Sequence, residues 1–176
     1  MKKNCLLSMF TLVMSALACA GEALPPAQTY ELTVPNFDDE SPACVLKIPT
    51  NSAQCTAEAC ILRAPAGSTL NSIELGFRCG PKSAPTGFEN PSSGGKVQWF
   101  RAKNAPAELS LADGVFEPAN ERFRELIFCV YGKFNNFCGF AKVMRIGEKS
   151  KVDGTGTVKS FLQGIELRDP LTKDGR

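Results

Sequence analysis

Eight cysteines and no histidine bound the chemistry open to this chain of 176 residues. Without an imidazole there is no Ser-His-Asp or Cys-His nucleophile pair and no His-ligated zinc site. Ser93-Gly94-Gly95-Lys96 has the spacing of a serine activated by a lysine, which requires a helix start to carry the amine onto the hydroxyl. Two glycines oppose a helix here, and neither SDN nor KTG follows. Asp38-Asp39-Glu40 offers three adjacent carboxylates. Neighbouring side chains diverge in an extended chain, and no Asp-x-Asp-x-Asp-Gly loop is present, so a solvated loop is the expectation. The stretch KVDGTGT has one carboxylate, too few for a calcium loop. A hydrolase built on distant carboxylates or on Ser93 and Lys96 is therefore a remote alternative.

The cysteines read as staples. Setting aside Cys5 and Cys19 near the N-terminus leaves Cys44, Cys55, Cys60, Cys79, Cys129 and Cys138. An even set in an exported chain implies three disulfides, and a four-thiolate zinc site lacks any CxxC pair. Cys44 shares an apolar face with Leu46 and Ile48, and Cys79 with Phe77, Leu75 and Ile73, which favours a Cys44 to Cys79 bond. Cys55 and Cys60 are five apart, a spacing that sets Cα atoms about 8 to 9 Å apart in a helix. That exceeds the roughly 7 Å limit for a disulfide, so a bond between them requires a tight loop in place of a helix through TAEA. In CVYGKFNNFCGF, residues 129 to 140, Cys129 and Cys138 are placed to bond across a hairpin.

Export is read from the first residues, MKKNCLLSMFTLVMSALACAGEA. A Lys2/Lys3 start, an apolar run from Leu6 to Leu17 and small residues after it have the form of a signal peptide over residues 1 to 20. Two processing routes fit: cleavage after Ala20, or lipidation at Cys19 in the lipobox-like Ala16-Leu17-Ala18-Cys19. Removing Lys2 and Lys3 brings the basic count to 18, equal to the acidic count, so the remaining chain is neutral. With no basic block either, nucleic acid is excluded as an expected partner.

The elements that must position these residues follow from periodicity. Residues 21 to 29 read as an extended linker, and strand alternation starts at Tyr30 in YELTV. Further strands are expected at CVLKI, CILRA, IELGFRC, KVQWFRAKN and ELSL, with ADG as a turn. Residues 80 to 95 form a loop rich in Gly and Pro. A short helical turn near residues 119 to 123 should precede a strand that enters the CVYGKFNNFCGF hairpin. Val158, Phe161, Leu162 and Ile165 fall at i, i+3, i+4 and i+7, predicting a helix capped by Thr157 and ended by Asp169-Pro170. The expected architecture is α+β: one mostly antiparallel domain over residues 30 to 169, sheet or sandwich-like, with a C-terminal amphipathic helix and a loose tail at 170 to 176.

What remains is surface. A disulfide-braced tip bearing Tyr131, Lys133, Phe134, Asn135, Asn136 and Phe137 is the candidate binding site, with Trp99 beside Phe100 on opposite faces of one strand. Phe134 and Phe137 can either face a partner or fold back onto the sheet. The functional expectation is an exported, non-enzymatic binding protein without cofactor. Among such proteins, a periplasmic or Cys19-tethered inhibitor or immunity protein against an envelope-directed toxin or enzyme fits best. A structural or accessory envelope lipoprotein, or a ligand-binding protein, is the alternative.

Overall fold

Apolar and polar side chains alternate along most of the chain, and strands result. The structure, a computed structural model, describes residues 28–38, 41–64, 66, 72–82, 96–116, 121–144 and 154–168. The signal-peptide segment with Cys19, Asp39, Glu40 and Ser93 lie outside the described residues.

Among the described residues ten strands form two antiparallel sheets. In the smaller, β2 (Cys44–Pro49) lies between β1 (Thr29–Val34) and β10 (Glu166–Arg168). The larger sheet runs β3 (Ala53–Cys55), β4 (Ala59–Arg63), β5 (Ser72–Pro81), β9 (Asn135–Met144), β8 (Glu121–Tyr131), β7 (Pro106–Phe116) and β6 (Lys96–Arg101). Among the described residues one helix forms, α1 (Thr155–Gly164), and it precedes β10.

One apolar cluster joins these parts. Leu46 and Ile48 of β2 share it with Phe77 of β5, Leu109 of β7, Phe128 of β8 and Phe137 of β9, and Phe161 and Leu162 of α1 close it. The small sheet and the helix thus cover one face of the large sheet, the inner face. Three disulfides brace the fold. Cys44–Cys79 ties β2 to β5 and so links the two sheets, while Cys55–Cys60 and Cys129–Cys138 each join directly opposed residues of a hairpin. TAEA is accordingly the β3–β4 turn, with the Thr56 N–H donating to the Ala59 carbonyl at 2.8 Å.

Four local expectations change. Residues 121 to 123 are strand, because β8 is paired along its length with β7 on one side and with β9 from Phe123 onward on the other; the helical spacing of Phe123, Leu126, Ile127 and Val130 is split between two sheet faces. ADG does not turn: Asp113 and Gly114 continue β7, held by Arg124 bonded to Asp113 at 2.6 Å and by the Phe123 ring beside Gly114. Gly80 and Pro81, expected in a loop, still pair with β9.

The helix begins earlier and ends sooner than its apolar spacing implies. Its N-cap is Gly154 at φ 75°, a left-handed backbone suited to glycine, and the Val158 N–H donates to the Gly154 carbonyl at 3.1 Å. At the other end Ile165 turns extended, and Glu166–Arg168 pair with β2. The alternation of buried Ile165 and Leu167 with Glu166 and Arg168 matches the unpaired side of β2, and this pairing stops the helix before Asp169-Pro170. Burial pushes the Tyr30 phenol above its usual range. Partial burial also raises the Glu166 carboxyl, but a hydrogen bond from Arg168 and the charges of Arg168, Lys103 and Lys47 outweigh it and leave it low.

Candidate binding surface

Strand parity decides which side chains the outer face of the large sheet presents. Leu126, Phe128 and Val130 point into the core, so Ile127, Cys129 and Tyr131 point outward. The registers then align side chains in transverse rows. Gly76, Phe140, Ile127, Ser110 and Val97 form one row; Arg78, Cys138, Cys129, Glu108 and Trp99 form the next; Asn136 and Tyr131 lie in a third, nearest the tip.

Several large apolar side chains on this face are open to solvent. Trp99 is 67% exposed, Phe140 47% and Val97 46%, while the Cys129–Cys138 bridge between them is fully covered. Phe140 lies over Gly76, where a Cβ would come within 3.0 Å of the ring. Trp99 is held in place: its ring stacks on Tyr131 with centroids 6.2 Å apart, and the Tyr131 hydroxyl donates to Glu108 Oε1 at 2.6 Å. Two buried oxygens on this face, Ser110 Oγ and Asn136 Oδ1, have no hydrogen-bond partner.

The hairpin tip divides the residues expected there. Lys133 and Phe134 are exposed, with the Lys133 ammonium 4.9 Å from the Phe134 ring centroid. Phe137 is a correction: it is fully buried, with its ring 4.9 Å from Phe77 and 5.7 Å from Phe128. Its strand position opposite Val130 and Cys79 sets it on the inner face, so it serves the core. Asn135 and Asn136 are also buried, and Asn135 donates from Nδ2 to the Pro42 carbonyl at 3.0 Å. A two-residue turn explains the split. The Gly132 N–H bonds the Asn135 carbonyl at 2.9 Å, leaving Lys133 and Phe134 alone at the apex, and the Lys82 N–H fastens the Phe134 carbonyl at 2.8 Å. Gly132 is required because a Cβ would collide with the Asn135 backbone carbonyl, and would also meet Leu167 Cδ2 at 2.7 Å.

Phe140, Val97 and Ile127 belong to the same face and were not singled out by sequence. The usable signal was parity with Cys138, Trp99 and Cys129, which needs the register to become a surface.

Of the groups with catalytic potential, Asp38 and Lys96 fall among the described residues, and they lie on separate segments. Asp38 accepts from the Ser41 hydroxyl at 3.0 Å, and its N–H bonds Asn36 Oδ1 at 3.2 Å, as in a capped loop. Lys96 opens β6 on the exposed edge. A polar groove of about 480 Å³ lies at the far end of β5 from the tip, lined by Thr50, Asn51, Ser52, Gln54 and Arg63. Two of its hydroxyls are committed, Thr50 to the Gln28 carbonyl and Ser52 to that of Pro49. Among the described residues no three His, Cys, Asp or Glu side chains group to hold a metal, and no helix is long and apolar enough to cross a membrane. Three disulfides point to an oxidising, extracytoplasmic environment. No protein-family model, no curated protein and no solved structure matches the chain.

Proposed function

We propose that this is an exported binding protein that works by protein–protein contact, an inhibitor or immunity protein that neutralises a toxin or enzyme directed at the cell envelope. It would act in the periplasm, free or tethered through Cys19. The observation that carries the reading is the exposure of three aromatic side chains, Trp99, Phe134 and Phe140, on the outer face and the tip of strands braced by a disulfide. Large aromatic side chains presented in few conformations are the usual anchors of interfaces, because little ordering entropy is lost when they dock. Contiguous exposed apolar surface on a chain of this size also marks a place where something binds. The Trp99–Tyr131–Glu108 chain of contacts supplies that order at the largest anchor.

Photocrosslinking residues placed at Trp99 and Phe134 should capture one envelope or exported protein in living cells. The captured protein's activity should then fall in proportion to added binding protein, reaching zero near equimolar. Crosslinks at neither position, or a captured enzyme whose activity is unchanged at saturation, would oppose the proposal.

A further inference from the structure

The large sheet ends at β6 among the described residues, and the hydrogen-bond pattern shows which backbone groups that edge leaves open. The Ala102 N–H donates to the Ala105 carbonyl at 2.9 Å, which makes this a hydrogen-bonded pair at the hairpin end. Antiparallel ladders alternate bonded and non-bonded pairs. Counting back along the register, Phe100, Gln98 and Lys96 bond β7, and Arg101, Trp99 and Val97 do not. Their N–H and C=O groups therefore point away from the sheet. The same three residues carry their side chains on the outer face, so open backbone and exposed Trp99 and Val97 coincide.

The other edges differ. β3 and β10 are three residues long, and β1 carries none of the exposed large apolar side chains. An edge that carries exposed apolar side chains, and that has no further strand beside it among the described residues, is a template for strand addition. Charge selects the occupant. β6 reads Lys-Val-Gln-Trp-Phe-Arg, with no acidic residue. Lys159 of α1 adds a third cation beside it, 3.3 Å from Gln98 Oε1 and 5.8 Å from the Phe100 ring centroid. Antiparallel pairing with a second copy through these open residues would set Trp99 against Trp99 and Val97 against Arg101, and would bring no carboxylate to Lys96 or Arg101. A strand with carboxylates at its ends meets the opposite condition.

We infer that β6 accepts an extended, acidic segment of a protein partner as an added antiparallel strand, bonded to the backbone of Val97, Trp99 and Arg101 and packed on the Trp99 and Val97 side chains. This rests on the reading of the protein as a protein-binding module, and it names the partner's chemistry.

The test is amide hydrogen exchange on the intact oxidised protein, with and without an eight-residue peptide alternating glutamate and valine. In the free protein, the Gln98 and Phe100 amides should be protected and those of Val97, Trp99 and Arg101 open. The peptide should protect these three, at least tenfold at saturation, and 0.5 M salt should reverse much of the effect. Val97→Pro should weaken the peptide at least tenfold while Gln98 and Phe100 stay protected, because its N–H faces the open edge and proline is tolerated there. The double variant Lys96→Glu with Arg101→Glu, which leaves the ladder intact, should lose the peptide too. No protection on adding peptide, protection along β1 in its place, or protection that grows with protein concentration alone, as for a second copy, would overturn the inference. If the photocrosslinked partner binds Val97→Pro as tightly as the parent, the strand-addition inference falls and the proposed function stands.

Discussion

Replacing Phe137 and Phe134 by alanine, one at a time, separates a core residue from a contact residue three positions apart. Phe137 is fully buried between Phe77 and Phe128, on the strand that also holds Cys138. Truncating a buried Phe costs about 3 to 5 kcal/mol, the sum of lost transfer energy and the cavity left behind. Domains are typically stable by about 5 to 15 kcal/mol, so Phe137→Ala should remove a large share of the total. At this chain length that corresponds to a Tm lower by about 6 to 20 °C. Phe134 is 48% exposed at the apex of a two-residue turn, and its loss should cost less than about 1 kcal/mol. Urea unfolding with the disulfides intact measures both. With slopes of about 1 to 3 kcal/mol per molar urea, Phe137→Ala should move the midpoint by about 1 M or more and Phe134→Ala hardly at all. Equal losses for the two variants, or a Phe137→Ala protein as stable as the parent, would refute the assignment of inward and outward faces on which the surface depends.

Gly139→Ala should destabilise severely, by more than about 3 kcal/mol in the same assay, because a Cβ there meets the Gly76 carbonyl, Phe128 Cζ at 2.8 Å and Phe77 Cα at 2.8 Å. Gly156→Ala in α1 has nothing within 4 Å and should stabilise by up to about 1 kcal/mol through helix propensity. Replacing Cys129 and Cys138 together by alanine frees a loop of about ten residues and should cost up to about 2.7 kcal/mol on the loop-entropy model, with faster amide exchange at the tip. The hydrogen bond from Arg124, with the charges of Arg124 and Arg122, holds the Asp113 carboxyl below its usual value despite some burial. Its stabilising contribution is complete above about pH 4, the unfolded value, and is lost as pH falls through the lower folded value. The Asp113 side chain is 42% exposed, which keeps the effect below about 1 kcal/mol, and Asp113→Asn should flatten the acid limb of a stability-versus-pH curve by that amount.

Much of the architecture was legible because strands with one buried face alternate strictly. The faces of Cys44 and Cys79 could be read from Leu46, Ile48, Phe77 and Leu75, and the bond between them follows those faces. Parity alone could not tell which way the hairpin pointed. Phe134 and Phe137 are both aromatic and both near a turn, and only the two-residue turn at Lys133-Phe134, fixed by the Gly132 to Asn135 bond, places one outside and one inside. The expected helical turn near residues 119 to 123 failed where it is described, at 121 to 123, because β8 starts at Glu121 and pairs there with β7, a contact set by register and not by local spacing. Helical spacing misled at the end of α1 because the partner of Leu167 is Leu46, more than a hundred residues earlier, a contact no local pattern records. The outer surface was hidden for the same reason. Val97 and Phe140 share a row only through three intervening pairings, each set by register.

The central claim is that the aromatic side chains of the outer face bind a protein. Its most direct test is calorimetric titration of the crosslink-identified partner with the parent protein, Trp99→Ala and Phe134→Ala, each first shown to be folded. The account predicts that Trp99→Ala loses about 2 kcal/mol of affinity, close to 30-fold in Kd, with a smaller loss for Phe134→Ala. Unchanged affinity in both variants would contradict it.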